Sequence, residues 1–339
     1  MRPSLPSTDV KALLNDDEIA ASLAERLDRV AARFAGQLKS DLAPVNALAR
    51  HVERYRGKML RPTLVIISGW AVREGEPADE AIDARLDTLA AVVEMIRMAT
   101  LVHDDVLDEA AMRRGGQTVN SLKGNETAVM LGDFLISSAF HLCSSIGLPW
   151  LNSALGETTT QLCSGEILQL THRGDLKLAQ ATYSDIIRRK TGVLSGACCG
   201  LAARLARADG STTTLLERYG EDLGMAFQIQ DDILDLVGDE KVVGKTLGID
   251  LQKGKLTLPI VIHLARATPS MREETVKAIA ECDRATLLRL VAGTESLAAA
   301  RTEAMRFVES AKGNLTPIRE SAARRLLSSI ADATVERTY

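Results

Sequence analysis

The chain has 339 residues, a net charge of −4, and 46% hydrophobic and 25% charged residues. This balance is typical of a globular protein and excludes a mainly disordered chain. The sequence lacks the overall basic charge that a nucleic-acid partner requires. We find no apolar run of about 18 residues, which a membrane span needs, and no secretory signal. We therefore expect a cytoplasmic protein without a transmembrane segment.

The composition predicts an all-α fold. Aromatic residues make up only 3% of the chain, Ala and Leu are plentiful, and no period-2 alternation indicates a strand. The five cysteines fit no metal-ligand spacing and are expected to be buried free thiols in a reducing compartment. We predict a loose N-terminal segment, 1–15, followed by one domain, 16–339. That domain is expected to be a bundle of about ten or more helices around a central apolar cavity.

Helical spacing of apolar residues recurs along most of the chain. In chain order it predicts helices over 16–38, 62–70, 81–107, 126–146, 150–172, 182–207 and 213–237. A loop is expected at 113–116, and a Gly- and Lys-rich connection follows the last of these helices. Several shorter helices are expected after Pro259.

Two acidic motifs share one internal pattern and end two strongly apolar helices. Residues 104–108 read Asp-Asp-Val-Leu-Asp, and residues 231–235 read Asp-Asp-Ile-Leu-Asp. The outer carboxylates of each motif share a helix face, because residues at i and i+4 do so. Clustered carboxylates at the negative end of a helix dipole need a counter-charge. The alternative is that the two motifs have no binding function and are simply solvated carboxylates at two helix ends.

A divalent cation supplies that counter-charge. Oxygen-only ligands favour Mg²⁺ or Mn²⁺ over Zn²⁺, and Mg²⁺ is usually held by one or two carboxylates together with substrate phosphates. Two facing motifs therefore suit a diphosphate bound between them through bridging ions. The candidate metal ligands are Asp104, Asp105, Asp108, Asp231, Asp232 and Asp235.

Basic residues near these motifs could bind phosphate oxygens, Arg as a bidentate fork and Lys as a point charge. They precede the second predicted helix, follow the first acidic motif, and lie in the Gly-rich connection. These candidates are Lys58, Arg61, Arg113, Arg114, Lys245 and Lys255. Taken singly, each pair also fits a solvated face or a salt bridge.

A further polar set lies on apolar helices. Lys190 and Thr191 are adjacent, and Gln228 precedes Asp231 by three residues. Their oxygens could face a developing cation, although ordinary hydrogen bonding between helices explains them nearly as well. Glu166 and Gln169, one turn apart, are expected to line the same cavity.

Together these motifs resemble those of the trans-isoprenyl diphosphate synthases, the polyprenyl synthetase family. The resemblance runs from Gly57 to Pro259, and its specificity comes from the order of the motifs. They are Gly57-Lys58-x-Leu60-Arg61-Pro62, His103-Asp104-Asp105-x-x-Asp108, Arg113-Arg114-Gly115, Gly132-Asp133-Phe134-Leu135, Lys190-Thr191, Phe227-Gln228-x-x-Asp231-Asp232-x-x-Asp235 and Gly254-Lys255-x-Thr257-Leu258-Pro259. The resemblance implies an all-α bundle around a central cavity that forms a homodimer.

The implied activity is a Mg²⁺-dependent prenyl transfer from an allylic diphosphate to isopentenyl diphosphate, with three ions bound at the diphosphate. The resemblance assigns the ions to Asp104, Asp108 and Asp231, and further charge at the leaving group to Arg113, Lys190, Lys245 and Lys255. It assigns isopentenyl diphosphate to Lys58, Arg61 and Arg114, and stabilisation of the carbocation to Lys190, Thr191 and Gln228.

Two positions depart from the family pattern. Arg97 stands where the family usually has His or Gln in contact with isopentenyl diphosphate, and Met59 stands where Arg is common. We expect Arg97 either to hold the same diphosphate or to alter the substrate preference.

Product length is predicted from residues four, five and eight positions before Asp104, which lie one or two turns deeper on that face. These are Thr100, Ala99 and Ile96. Short-chain members of the family tend to have aromatic residues at the first two positions, so Thr and Ala predict a product longer than farnesyl. Small residues there could instead serve only close helix packing. A farnesyl or geranylgeranyl diphosphate synthase is the alternative.

Two rival functions remain open. A class I terpene cyclase would usually replace the second acidic motif with an Asn/Ser/Glu motif, and a non-catalytic partner subunit of a heteromeric synthase would be expected to lose Asp residues. This chain keeps both motifs and the Lys58–Arg61 pair. Peripheral membrane contact also remains open, because a long polyprenyl product resembles a lipid.

Overall fold

The computed structural model describes residues 17–53, 57–73, 75, 78–113, 115–238 and 249–337. Within these ranges the regular elements are helical, apart from one short antiparallel hairpin. The all-α prediction is therefore confirmed. The expected loose segment, 1–15, lies outside the described residues, and the single domain over 16–339 stays a prediction.

The described elements occur in the following order along the chain. They are α1 (Asp17–Gln37), α2 (Ala43–Val52), α3 (Leu60–Arg73), α4 (Glu80–Leu107), β1 (Met112–Arg113), β2 (Gly116–Gln117), α5 (Val119–Lys123), α6 (Asn125–Ser144), α7 (Pro149–Thr171), α8 (Gln180–Ile187), a π-helical turn (Arg188–Gly192), α9 (Val193–Leu205), α10 (Gly210–Val237), α11 (Ile249–Gln252), α12 (Leu258–Arg266), α13 (Pro269–Ala280), α14 (Arg284–Gly293), α15 (Ser296–Leu315) and α16 (Ala322–Val335).

The predicted helices agree with α1, α3, α4, α6, α7 and α10 to within one turn at each end. The helix expected over 182–207 is instead divided into α8 and α9 by the π-helical turn. The loop expected at 113–116 carries part of the β1–β2 hairpin. Cys163 and Cys282 are exposed rather than buried, although all five cysteines are free thiols as expected.

The two helices that carry the acidic motifs are both 28 residues long and have polar N-caps. The Asp79 carboxylate accepts hydrogen bonds from the first turn of α4, and the Asp209 carboxylate does the same for α10. Such caps satisfy backbone N–H groups that otherwise lack partners at a helix start. Both helices can therefore start at a fixed point and carry their acidic motifs at the opposite end.

Two hydrophobic core clusters hold these helices in place. The larger joins α1, α3, α4, α6 and α9, and the smaller joins α8 with α12, α14 and α15. Helix α10 contributes Leu223 and Ala226 to the larger cluster and Ile229 and Ile233 to the smaller one. The second acidic motif thus lies on a helix that packs into both clusters.

Helix α6 has the length and apolar composition that a membrane span would need, and 39% of its most apolar window is buried. A core helix of an ordinary globular protein passes the same test, so this single match is weak evidence for a membrane span. The inner face of α6 packs against α4, and its outer face exposes Val129 and Met130.

Candidate active site

A cleft of about 180 Å³ receives one carboxylate from each acidic motif, Asp108 from the end of α4 and Asp232 from α10. The predicted residues that line it are Gln169, Lys190, Thr191, Gln228 and Lys255. The fold therefore brings five separate chain segments together at one concave, mixed polar and apolar site. Such a site is the usual setting for a small-molecule reaction.

The first motif divides its carboxylates between two tasks. Asp108 lies 2.7 Å from Lys255 Nζ, and Asp104 lies 3.9 Å from Lys190 Nζ. Asp105 is almost completely buried and accepts a hydrogen bond of 2.7 Å from Arg113. This division follows from the helix, because Asp104 and Asp108 share a face and Asp105 is rotated away from it.

Lys190 is surrounded by anionic and polar oxygens. Its ammonium group donates to the Glu166 carboxylate and, at 2.9 Å, to Gln169 Oε1. Burial acts to lower the pKa of Lys190, but Asp104 and Glu166 outweigh this effect and raise that pKa above its ordinary value. Lys190 is therefore cationic at neutral pH and available to an anion in the cleft.

Burial also acts on Asp104. It raises the pKa of that carboxyl above its ordinary value, Lys190 opposes the shift, and Glu166 adds to it. A carboxylate in this position is stabilised by any additional cation that approaches it, which is the electrostatic requirement for a metal ligand.

The second motif presents its three carboxylates differently. Asp231 is the most exposed and forms an ion pair of 3.1 Å with Arg337. Asp232 is buried and accepts hydrogen bonds from Tyr183 Oη at 2.6 Å, Gln228 Nε2 at 3.0 Å and the Leu258 backbone N–H at 3.3 Å. Asp235 is also buried. Asp231 is thus the carboxylate of this motif most open to an incoming ligand.

The π-helical turn places Thr191 against α10. Thr191 Oγ1 donates a 2.9 Å hydrogen bond to Gln228 Oε1. The close approach depends on two glycines, because a Cβ atom on Gly224 would lie 2.8 Å from the Gly192 Cα. π-helical turns of this kind are frequently found at functional sites.

The cations predicted to bind isopentenyl diphosphate form a second group, and in the described part of the chain none of them lines the cleft. Arg97 makes two hydrogen bonds to the buried Glu94 carboxylate, of 3.0 and 2.5 Å. Burial and then the nearby Arg97 charge lower the pKa of Arg61. The Arg61 Nε is buried and has no hydrogen-bond partner among the described residues. Lys58 is exposed.

Other predicted residues are not placed at the cleft. Arg114 and Lys245 lie outside the described residues. Ile96 and Ala99 are buried in the core of α4, and the Thr100 hydroxyl donates to the Arg97 carbonyl at 2.8 Å. Their role in product length stays a prediction.

Sequence reasoning missed four residues that contact the predicted ones. Arg173 lies 3.4 Å from Asp108, and Glu94, Tyr183 and Arg337 pair with Arg97, Asp232 and Asp231. Tyr183 was detectable in principle as a polar aromatic on an apolar helix near Lys190. Arg337 had no such signal, because it follows Asp231 by more than a hundred residues.

The donor chemistry fits a hard divalent cation. No group of three or more His, Cys, Asp or Glu side chains forms a ready metal site in the ranges that the structure describes. Carboxylate oxygens such as those of Asp104, Asp108 and Asp231 are suitable Mg²⁺ ligands when substrate phosphates and water complete the coordination.

The polyprenyl synthetase family model matches residues 43–290, which is well over half of the chain. A short chain isoprenyl diphosphate synthase from Methanothermobacter thermautotrophicus is 33% identical over 309 residues, covering 88% of this chain and 93% of the relative. An octaprenyl diphosphate synthase from Escherichia coli is 34% identical over 260 residues, covering 77% of this chain and 78% of the relative.

Solved structures of prenyl synthases are also similar to this chain. A decaprenyl diphosphate synthase from Rhodobacter capsulatus has a TM-score of 0.87 at 32% identity, covering 95% of this chain and 99% of its own. A polyprenyl synthase from Caulobacter crescentus, complexed with calcium and isoprenyl diphosphate, has a TM-score of 0.87 at 31% identity and covers 100% of both chains.

Proposed function

The chain belongs to the polyprenyl synthetase family, and on this premise we propose that it condenses isopentenyl diphosphate with an allylic diphosphate to make an all-trans polyprenyl diphosphate longer than farnesyl. The predicted enzyme class, transfer of prenyl groups, is confirmed by this membership. The family is Mg²⁺-dependent and uses these two kinds of diphosphate. One observation carries the proposal for this chain: carboxylates of both acidic motifs share a cleft with Lys190, Lys255 and Gln228.

We assign the diphosphate of the allylic substrate to the carboxylates that face cations or solvent. Asp104, Asp108 and Asp231 would hold Mg²⁺, with three ions as the expected number and Mn²⁺ as an alternative. A divalent cation there supplies Lewis-acid stabilisation of the departing diphosphate. Lys190 and Lys255 already lie beside these carboxylates and would bind the same phosphate oxygens. Arg113 is held at the motif by Asp105.

The polar groups that share the cleft with these cations suit the other half of the reaction. As the C–O bond to diphosphate breaks, positive charge develops on the allylic carbon, and the Thr191 and Gln228 oxygens lie at the cleft wall. Fixed dipoles aimed at a developing charge stabilise a transition state without reorganisation. The alkene of isopentenyl diphosphate then forms the new C–C bond and loses a proton, for which the departing diphosphate is the expected acceptor.

Isopentenyl diphosphate is assigned to Lys58, Arg61, Arg97 and Arg114. Arg61 and Arg97 are close enough for the charge of one to lower the pKa of the other. Two adjacent guanidinium groups with Glu94 as a shared counter-anion retain net positive charge, and a diphosphate dianion or trianion would relieve their repulsion.

We assign the control of product length to the residues of α4 that precede the first acidic motif. Relatives of this chain carry names from short chain to octaprenyl and decaprenyl, so family membership by itself leaves a range. Small side chains at Ala99 and Thr100 favour the longer products. Farnesyl or geranylgeranyl diphosphate is the alternative product.

The proposed assembly is a homodimer in the cytoplasm. The outward faces of α6 and α7 expose large apolar side chains, of which Met130 is 64% and Ile167 is 63% exposed. Contiguous apolar surface of this kind often marks a protein–protein contact. Peripheral membrane contact would come through the lipid-like product.

Two rival functions make different demands on the same residues. A class I terpene cyclase uses no isopentenyl diphosphate and has no need of the neighbouring Arg61 and Arg97 guanidinium groups. A non-catalytic subunit has no need of the charge arrangement around Lys190. Both acidic motifs and both cation groups are present here, which favours a complete elongating enzyme.

The test is a transfer assay with the purified chain, isopentenyl diphosphate and dimethylallyl, geranyl or farnesyl diphosphate, with Mg²⁺ or with EDTA. We expect Mg²⁺-dependent consumption of both substrates, lost in Asp104→Asn and Asp231→Asn. Asp28→Asn, on the exposed face of α1, is the matched control and should retain wild-type activity. A cyclised hydrocarbon made without isopentenyl diphosphate would show that the protein is a terpene cyclase and would contradict the proposal. An inactive wild-type chain would also contradict it.

A further inference from the structure

We propose that Tyr183 is a positioning residue for prenyl transfer, acting through Asp232 to fix the amide of Gln228 so that its oxygen lies beside Thr191 at the cleft wall. The inference rests on the proposed function and adds a specific arrangement to it. Tyr183 lies in α8, outside the motifs that carry the family resemblance.

The arrangement is a chain of short contacts between buried groups. Tyr183 is 4% exposed, and its hydroxyl donates to Asp232 Oδ2 at 2.6 Å. The Leu258 N–H donates to the same oxygen at 3.3 Å, and Gln228 Nε2 donates to Oδ1 at 3.0 Å. Asp232 is therefore held from three elements: α8, α10 and the start of α12.

The direction of these hydrogen bonds determines how Gln228 is oriented. An ionised carboxylate only accepts hydrogen bonds, so the Gln228 amide must turn its NH₂ group toward Asp232. The amide oxygen then points the other way, where it accepts the 2.9 Å hydrogen bond from Thr191 Oγ1. The donors converge on Asp232, because Tyr183 donates to it directly, and Thr191 donates to Gln228, which in turn donates to Asp232. Hydrogen bonds linked in this way polarise one another.

The orientation matters because of what the cleft must stabilise. Tyr183, Thr191, Gln228 and Asp232 all line it. An amide oxygen presents negative partial charge to a developing allylic cation, whereas the NH₂ group of a reversed amide would present positive partial charge. An amide that is fixed in this orientation keeps its oxygen toward the developing cation throughout the reaction.

Asp232 was predicted from its motif as a metal ligand, and the contacts give it a different task. Both of its oxygens already accept protein hydrogen bonds, whereas Asp231 beside it is 35% exposed. A positioning role and a ligand role differ in one measurable respect. Loss of a ligand raises the Mg²⁺ concentration needed for half-maximal rate, and loss of positioning lowers kcat at any Mg²⁺ concentration.

The first experiment compares wild type with Tyr183→Phe, which keeps the ring and removes the hydroxyl. We expect kcat to fall roughly tenfold to a hundredfold. KM for both diphosphates and the Mg²⁺ midpoint should stay within about twofold, because no contact to either ligand is removed. Asp232→Asn should show the same pattern with a larger fall, since its amide can donate to Gln228 Oε1 and reverse the Gln228 orientation.

Tyr219→Phe is the matched control. The Tyr219 hydroxyl is buried and donates to the Leu327 carbonyl at 2.7 Å, in the core and away from the cleft. Both Tyr-to-Phe variants lose one buried hydrogen bond, so both should lose a similar amount of stability. Only Tyr183→Phe should lose kcat.

A double-mutant cycle tests whether Tyr183 acts through Gln228. If it does, Tyr183→Phe has little further effect on kcat in a Gln228→Ala background. Additive losses would overturn the inference, as would a wild-type kcat in Tyr183→Phe. A tenfold rise of the Mg²⁺ midpoint in Asp232→Asn would make Asp232 a metal ligand and would also overturn it. Absence of prenyl transfer in the wild-type chain would instead contradict the proposed function.

Discussion

Arg337 forms an ion pair of 3.1 Å with Asp231 of the second acidic motif, although more than a hundred residues separate the two in the sequence. The Arg337 guanidinium is only 8% exposed and stacks 4.0 Å from the centroid of the Phe227 ring. It also donates to the Phe227 carbonyl at 3.3 Å. The segment after α16 is thereby tied to α10, and a proposed metal ligand carries a protein counter-charge.

This pair predicts a competition between Arg337 and Mg²⁺ for Asp231. In Arg337→Met the carboxylate loses its counter-charge, so the Mg²⁺ concentration for half-maximal rate should fall roughly threefold to tenfold. Arg337→Lys keeps the charge and should stay near the wild-type value. The measurement is a Mg²⁺ titration of initial rate. A higher midpoint in Arg337→Met would show that Arg337 supports the metal complex rather than competing with it.

Lys255 and Lys253 provide a matched pair of cations in one connection. Lys255 is buried against Asp108, whereas Lys253 contacts the exposed Glu109 at 3.2 Å. Loss of a hydrogen bond to a charged group costs about 1.5–3 kcal/mol, so Lys255→Ala should raise KM for the allylic diphosphate roughly tenfold to a hundredfold. Lys253→Ala should change it by less than about twofold. Equal effects of the two variants on that KM would contradict the assignment of Lys255 to the diphosphate.

The Gly192–Gly224 contact predicts a large cost for a single methyl group. Gly224→Ala places Cβ against the Gly192 Cα and the Thr191 carbonyl, so the π-helical turn and α10 must separate. We expect a loss of about 1–3 kcal/mol in the free energy of unfolding, with a lower kcat because Thr191 moves from Gln228. Gly156→Ala, in α7 with open space around its Cβ, should stabilise by about 0.5–1 kcal/mol. Chemical denaturation and steady-state rates of both variants provide the comparison.

Ala99 provides the test of product length. Phe at this fully buried position should shorten the main product, at a cost of about 1–3 kcal/mol for overpacking. Ala90 is equally buried on α4 but lies nine residues earlier, on the opposite face of the helix. Ala90→Phe should therefore destabilise the chain without shortening the product. An unchanged product length in a folded Ala99→Phe variant would show that Ala99 does not set the product length.

His263 predicts the pH dependence of stability. Its ring is fully buried between Thr294 Oγ1 and Thr275 Oγ1, each at 2.8 Å, and burial lowers the pKa of His263 below its ordinary 6.5. The unfolded chain therefore binds a proton that the folded chain does not. Stability from this residue is present above about pH 6.5 and is lost as pH falls toward the folded pKa.

The measurement is urea unfolding at pH 5.5 and pH 7.5. His263→Gln should reduce the difference in unfolding free energy between the two pH values. His141→Gln, on the exposed face of α6, should leave that difference unchanged. The same difference in wild type and His263→Gln would show that other groups set the acid limit.

The sequence predicted the parts of this molecule that depend on local pattern. Apolar spacing located α4 and α10, and the repeated acidic pattern placed Asp104, Asp108 and Asp231 at their ends. Those inferences need only helical periodicity and charge chemistry. The π-helical turn at Arg188–Gly192 was not predictable in this way, because its close packing on α10 through Gly192 and Gly224 is a contact between distant segments.

Contacts between distant segments were also beyond local pattern. Nothing in the sequence around Tyr183 indicates Asp232 as its partner, and nothing around Arg337 indicates Asp231. Helix α2 was missed because it is short, with only Ala49 and Val52 buried. The positions of these residues follow from tertiary packing, which single-sequence periodicity does not report.

The most direct test of the central claim is the product spectrum of the purified chain supplied with farnesyl diphosphate, excess isopentenyl diphosphate and Mg²⁺. Mass spectrometry should show a ladder of polyprenyl diphosphates, each one isoprene unit longer than the last and ending above geranylgeranyl. The ladder should disappear with EDTA. A ladder that stops at geranylgeranyl diphosphate, or farnesyl diphosphate left unextended while geranyl diphosphate is extended to farnesyl, would contradict the claim that this enzyme makes longer products than these two alternatives.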